Sequence, residues 1–131
     1  MRLFSILRRY ANLTKLDKIR DALQTFGKTY YGNADPDINE PWNYYVFRRV
    51  RLKRTGTTTV SYARRYVVAI VKENYIPEGH ELEIIDAICK ATGLKVAEED
   101  ITYSYTFKGS TSLVVEVALI PFVEAFKRKC E

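Results

Sequence analysis

The chain has 131 residues, 47% hydrophobic, with a formal net charge of +5. That is enough for one core and a single domain over 1–131, and too little for two. No apolar run approaches the roughly 20 residues of a membrane span, the start Met1-Arg2-Leu3-Phe4-Ser5-Ile6-Leu7-Arg8-Arg9 lacks the apolar core and cleavage site of a secretory leader, and two cysteines make neither a disulfide framework nor a metal site. Synthesis and use in a cytoplasm, no membrane contact, and free thiols at Cys89 and Cys130 are therefore expected.

Residues 3 to 26 read as helical, most clearly from Leu13, because Leu13, Leu16, Ile19, Leu23 and Phe26 recur at spacings of three and four. Asn12 and Thr14 are both candidate N-caps, and Gly27 is a natural stop. Lys28-Thr29-Tyr30-Tyr31 reads as a short strand, and the turn residues Gly32 to Asp37 lead into an irregular stretch ending at Pro41.

Trp42 to Val71 then reads as a long protruding β-hairpin: two aromatic and β-branched runs around Lys53-Arg54-Thr55-Gly56-Thr57-Thr58-Thr59. Simple alternation places Tyr44, Val46, Arg48, Val50 and Leu52 on one face of the first strand, and Tyr45, Phe47, Arg49, Arg51 and Lys53 on the other. These thirty residues carry seven bases (Arg48, Arg49, Arg51, Lys53, Arg54, Arg64, Arg65) and no acid, so the other residues are net negative and the overall +5 is local. From Glu73 to Asp100 the balance reverses, with eight acids against Lys90 and Lys95.

Asn74 to Gly79 breaks the strand. A second helix is expected from Glu81 to Thr92, with Leu82, Ile85, Ile88, Cys89 and Thr92 along its buried side, acids in its first turn and Gly93 as its cap. Ile101 to Phe107 alternates as a strand and turns at Lys108 to Thr111 into Leu113–Ile120. That last strand is apolar on both faces except for Glu116, as suits a central position. Pro121 is expected to end it, leaving Phe122 to Lys129 as a short tail of possible helix.

The order α-β-β-β-α-β-β implies an α+β fold: a mainly antiparallel sheet of five strands with both helices on one face, leaving the other face for a partner or a second copy. No catalytic set emerges, and an enzyme is not expected. His80, between Gly79 and Glu81, reads as a solvated first-turn residue before it reads as a general base; Cys89 reads as a packing thiol. The cluster Glu98-Glu99-Asp100 reads as an exposed loop as readily as a cation site. For the basic hairpin, three readings compete: phosphate contacts with nucleic acid, an edge kept soluble by charge, and pairing with the acidic segment of a neighbouring copy. The third uses both halves of the asymmetry, with charge setting orientation and aromatic contact supplying affinity.

A leading helix, the strand end Tyr30-Tyr31-Gly32, the strand Pro41-Trp42-Asn43-Tyr44-Tyr45-Val46-Phe47 and the return strand Tyr62-Ala63-Arg64-Arg65-Tyr66-Val67-Val68-Ala69-Ile70-Val71 come in that order. The helix Glu81 to Thr92 and the closing pair Ile101 to Phe107 and Leu113 to Phe122 follow. From about residue 12 onward this layout resembles the small tail terminator, or tail completion, proteins of long-tailed bacteriophages, including minor structural proteins of prophages. The resemblance implies a virion protein of the tail or neck, assembled in the host bacterial cytoplasm, that caps the tail tube as a homo-oligomeric ring, usually a hexamer. It implies self-association, the major tail tube protein and the head-side connector as partners, DNA only as passing cargo, and neither a reaction nor a cofactor. A ring needs a heterologous interface. The residues expected to form it are Arg48, Arg49, Arg51, Lys53, Arg54, Arg64 and Arg65 on one side, and Glu81, Glu83, Asp86, Glu98, Glu99 and Asp100 on the other. Most of the arginines are expected to be paired or to lie on the outer or axial surface, since seven cations per copy in a lumen would grip DNA. The alternative is a small basic α/β module that binds nucleic acid.

Overall fold

A computed structural model describes residues 13–55 and 61–127. The expected helix before residue 13, the Thr-rich loop tip, Cys130 and the last residues of the tail lie outside that range. The elements are α1 (Lys15–Gln24), β1 (Lys28–Tyr31), β2 (Tyr44–Thr55), β3 (Ser61–Glu73), α2 (His80–Thr92), β4 (Lys95–Val96), β5 (Thr102–Phe107) and β6 (Val114–Lys127). The fold is α+β, with two helices and a mixed sheet of six strands among the described residues, in place of the expected five strands. The spatial order is β1-β2-β3-β6-β4, with β5 beside the other end of β6. β1 runs parallel to β2, and every other pairing is antiparallel.

A local signal fixes the start of α1 and the end of α2. Thr14 caps α1 through a capping box: its hydroxyl accepts from the Asp17 N–H while the Asp17 carboxylate accepts from the Thr14 N–H. The Thr14 N–H first, then the Thr14 hydroxyl, both donating to the carboxylate, hold Asp17 below the usual aspartate range. α2 ends at Gly93, whose φ of 75° is the left-handed conformation that closes a helix without a Cβ clash.

Cross-strand register sorts the side chains onto two faces. Tyr45, Phe47, Tyr66, Val68, Ile70, Ala118, Ile120 and Phe122 share one, and these join Ile19 and Leu23 of α1 and Ile84 and Ile88 of α2 in a single buried cluster. Both helices therefore pack on that face. The other face carries Tyr44, Val46, Val67, Ala69, Val71, Val117, Leu119, Pro121 and Val123. Over these residues it is apolar and neither α1 nor α2 lies on it; toward the distal end it carries Arg48, Arg51, Lys53 and Arg65.

Four expectations are corrected by this register. β6 does not stop at Pro121 but runs to Lys127, and β3 pairs with it along its whole length, from Ser61↔Lys127 to Glu73↔Val115. The Pro121 carbonyl accepts from the Ala97 N–H, so its nitrogen also points away from β3 and the missing donor costs no bond to β3. The projection is accordingly three strands wide, not a lone hairpin. A bulge at Val50, between Arg49↔Tyr66 and Arg51↔Arg65, moves Leu52 to the face of Tyr45 and sends Arg51 and Lys53 to the face of Tyr44, opposite to simple alternation. On α2 the buried side is Ile84, Ile88 and Thr92, and Leu82 is 62% exposed where it was expected to be inside. The two-residue β4 was missed altogether, being too short for any period.

Buried polar groups tie the ends of the sheet. Lys108 Nζ bonds the Glu73 carboxylate at 2.6 Å and the Glu40 carbonyl at 2.7 Å, and Glu73 also accepts from the Trp42 N–H at 2.9 Å. The Lys108 bond, then the Trp42 bond, hold Glu73 below the usual glutamate range. Glu116, the charged exception in the Leu113–Ile120 run, accepts from the buried Ile76 N–H at 2.7 Å. Replacing it by Leu orphans that donor and is expected to cost about 1–3 kcal/mol in chemical denaturation. Glu116→Gln keeps an acceptor and is expected to cost much less.

Candidate assembly surfaces

The distal parts of β2, β3 and β6 form the cationic side of the molecule. Arg64 lies between Leu52 and Glu124 in the ladder, 3.7 Å from the Glu124 carboxylate, with its guanidinium 4.3 Å from the centre of the Phe126 ring. Glu124 also takes Lys15 of α1 at 3.5 Å, so one acid on β6 holds a helix cation and a strand cation together. Arg65, on the opposite face, bonds Glu99 from the β4–β5 connection. Arg49 donates to the Tyr31 hydroxyl at 3.2 Å, which raises its pKa. A cleft of about 430 Å³ opens here, with Leu16, Leu52 and Tyr66 among its apolar walls and Lys15, Arg49 and Arg64 among its cations.

Arg48, Arg51, Lys53 and Arg54 are different. All four are exposed, and none has an ion-pair partner among the described residues. They flank the outer margin of β2, where β1 has already ended: the last β1 pair is Tyr31↔Phe47. Exposed Val50 and Leu52 sit between them.

The opposite margin of the sheet is aromatic and acidic. Tyr103, Tyr105 and Phe107 stand on the helix-side face of β5, opposite Ala118, Glu116 and Val114, and all three are largely exposed. The Tyr103 hydroxyl donates to the Glu81 carboxylate at 3.2 Å. Partial burial and then Glu81 raise the Tyr103 pKa; a bond to Glu116 raises that of Tyr105. Glu83 and Asp86 lie farther along α2 beside exposed Leu82. The structure thus groups Glu81 with the β5 aromatics and keeps Glu99 with Arg65 inside one chain. Glu98 and Asp100 are exposed beside Glu99 on the connection, with no ion pair among those described.

The signal for the β5 margin was present in Thr102-Tyr103-Ser104-Tyr105-Thr106-Phe107, six uncharged residues of high strand preference. Charge counting passed over them. Their importance depends on β5 being an edge strand, which the sequence order alone does not reveal.

His80 is not the solvated residue expected. Its Nε2 lies 2.6 Å from the Tyr45 hydroxyl, and Phe26 meets both rings edge-on or nearly so, locking the end of α1 to the start of α2. Burial first, then the charge of Lys72, push the imidazole below its usual 6.5; burial raises the Tyr45 hydroxyl and lowers Lys72. Because the folded chain then binds fewer protons than the unfolded one between that lowered value and 6.5, stability present above pH 6.5 is lost as pH falls through the window. Thermal melts are expected to show Tm falling from pH 7 to pH 5, and falling less in His80→Gln, which keeps an acceptor for Tyr45. Cys89 is half-buried on α2 with its thiol pushed up by burial, so it stays protonated near neutrality.

Among the described residues no three of His, Cys, Asp and Glu are grouped to hold a metal ion, and no helix is long and apolar enough to cross a membrane. No protein-family model and no curated protein matches the chain.

Proposed function

We propose that this chain is a structural assembly protein of the tail-terminator type, a subunit that associates with copies of itself in a ring and binds neighbouring virion proteins stoichiometrically. One observation carries this reading: a cationic margin and an aromatic, acidic margin lie on opposite sides of one sheet. A head-to-tail contact needs two different, complementary patches facing away from each other, whereas a two-fold contact needs one patch that matches itself. The face away from α1 and α2, apolar at its base, offers a further area for the tail tube or the head-side connector. The proposal includes neither a reaction nor a cofactor, and takes DNA as passing cargo.

Light scattering after size exclusion, run across protein concentration and at low and high salt, tests the ring. A species of six copies, or a monomer moving toward it with concentration, is the expected result; a dimer that does not grow contradicts it. The exposed Arg48, Arg51, Lys53 and Arg54 support a second reading, binding of nucleic acid. Its mark is duplex binding by the monomer that weakens steeply with salt.

A further inference from the structure

The margins of the sheet are guarded unequally. An edge strand exposes a row of unpaired backbone groups, and proteins blunt such edges with charge, brevity, proline or a bulge. β1 is four residues long and begins with Lys28; β4 has two residues; β2 beyond Phe47 carries four cations with no ion pair among the described residues, and the bulge at Val50. β5 has none of these devices. All six of its residues are exposed and uncharged, it contains neither proline nor glycine, and among the described strands it pairs only with β6. Within a free monomer such an edge is a liability; in an assembly it is a place for another strand.

Resting on the ring reading, we infer that the outer edge of β5 pairs with residues 48–55 of β2 in a second copy, so that the sheet continues from subunit to subunit. Three features select this occupant. Among the described strands, the β2 segment is the longest open edge at the opposite margin of the sheet, which is where a head-to-tail partner must come from. Arg54, on the helix-side face of that segment, meets the face where Tyr103 bonds Glu81, a match of guanidinium with carboxylate and aromatic rings, while Arg48, Arg51 and Lys53 stand on the other face, beside uncharged Thr102, Ser104 and Thr106. Exposed Leu52, on the same helix-side face, provides an apolar side chain for the β5 aromatics. The bulge suits this arrangement: it keeps the β2 edge from pairing indiscriminately while leaving it able to join an uncharged strand such as β5.

The test is backbone hydrogen exchange, read by mass spectrometry on the full chain at a dilution where scattering reports a monomer and at a concentration where it reports the assembly. Exchange at 102–107 and at 48–55 is expected to slow together, by about ten-fold or more, on assembly. Ser104→Lys, which adds a charge to the exposed side of β5 away from the core, is expected to weaken assembly at least ten-fold with Tm unchanged. Assembly with free exchange at 102–107 overturns the strand pairing and leaves the ring standing, because scattering and exchange are read separately. Slowing at 102–107 alone means that two β5 edges pair with each other, and it overturns the stated occupant. Slowing at 48–55 of the monomer on addition of a 20-base-pair duplex, with no assembly, assigns that edge to nucleic acid and overturns the inference. A chain that stays monomeric at millimolar concentration with both segments exchanging freely overturns pairing and ring together.

Discussion

Phe122→Ala is expected to destabilise the protein by roughly 3–5 kcal/mol in a denaturant titration, a large part of the roughly 5–15 kcal/mol that holds a domain of this size folded. Phe122 is fully buried, faces Tyr66 across the ladder, and belongs to the same cluster as Ile120 and the α1 and α2 isoleucines. Removing its ring leaves a cavity under both helices that the sheet cannot close without breaking the β3–β6 ladder. A flexible tail after Pro121 would make the same substitution nearly silent. A cost under about 1 kcal/mol would therefore contradict the continuous β6, and Phe126→Ala, at the outer end of the strand, serves as the milder control.

The length of β6 shows what a linear pattern can and cannot carry. The residues Phe122, Glu124 and Phe126 alternate with Val123, Ala125 and Lys127 in the period of a strand, and that signal was available. It was overruled by a general rule on proline, whose exception depends on which way one nitrogen faces in the sheet. The Val50 bulge is a similar case: strand, length and partner of β2 were legible, while one unpaired residue reversed the faces of everything beyond it. Charge segregation, the α1 core positions Ile19 and Leu23, the Gly93 cap and the short β1 were all readable, because each depends on residues within one or two turns of chain. The division of the cations was not. Arg64 and Arg65 hold Glu124 and Glu99, acids distant in sequence, whereas Arg48, Arg51, Lys53 and Arg54 are left to face outward.

That division yields the second large effect. Reversing Arg48, Arg51, Lys53 and Arg54 to Glu together is expected to weaken self-association by about 10²-fold or more at low salt, if each exposed cation contributes roughly 0.5–1 kcal/mol to the contact, and to leave Tm unchanged or slightly higher. The stability expectation follows from their exposure and from the like-charge pair Arg51↔Arg65 that the change relieves. Neutralising Arg64 and Arg65 to Gln should show the opposite balance, with lower Tm through loss of the Glu124 and Glu99 pairs and a smaller effect on association. Salt separates the two sets further: screening at about 1 M shortens the Debye length to near 3 Å and should bring wild type close to the reversed variant in association. Light scattering and thermal melts on the same samples give both readouts. If association falls equally for the two sets and salt changes neither, charge does not set the contact, and the aromatic margin alone must account for whatever assembly remains.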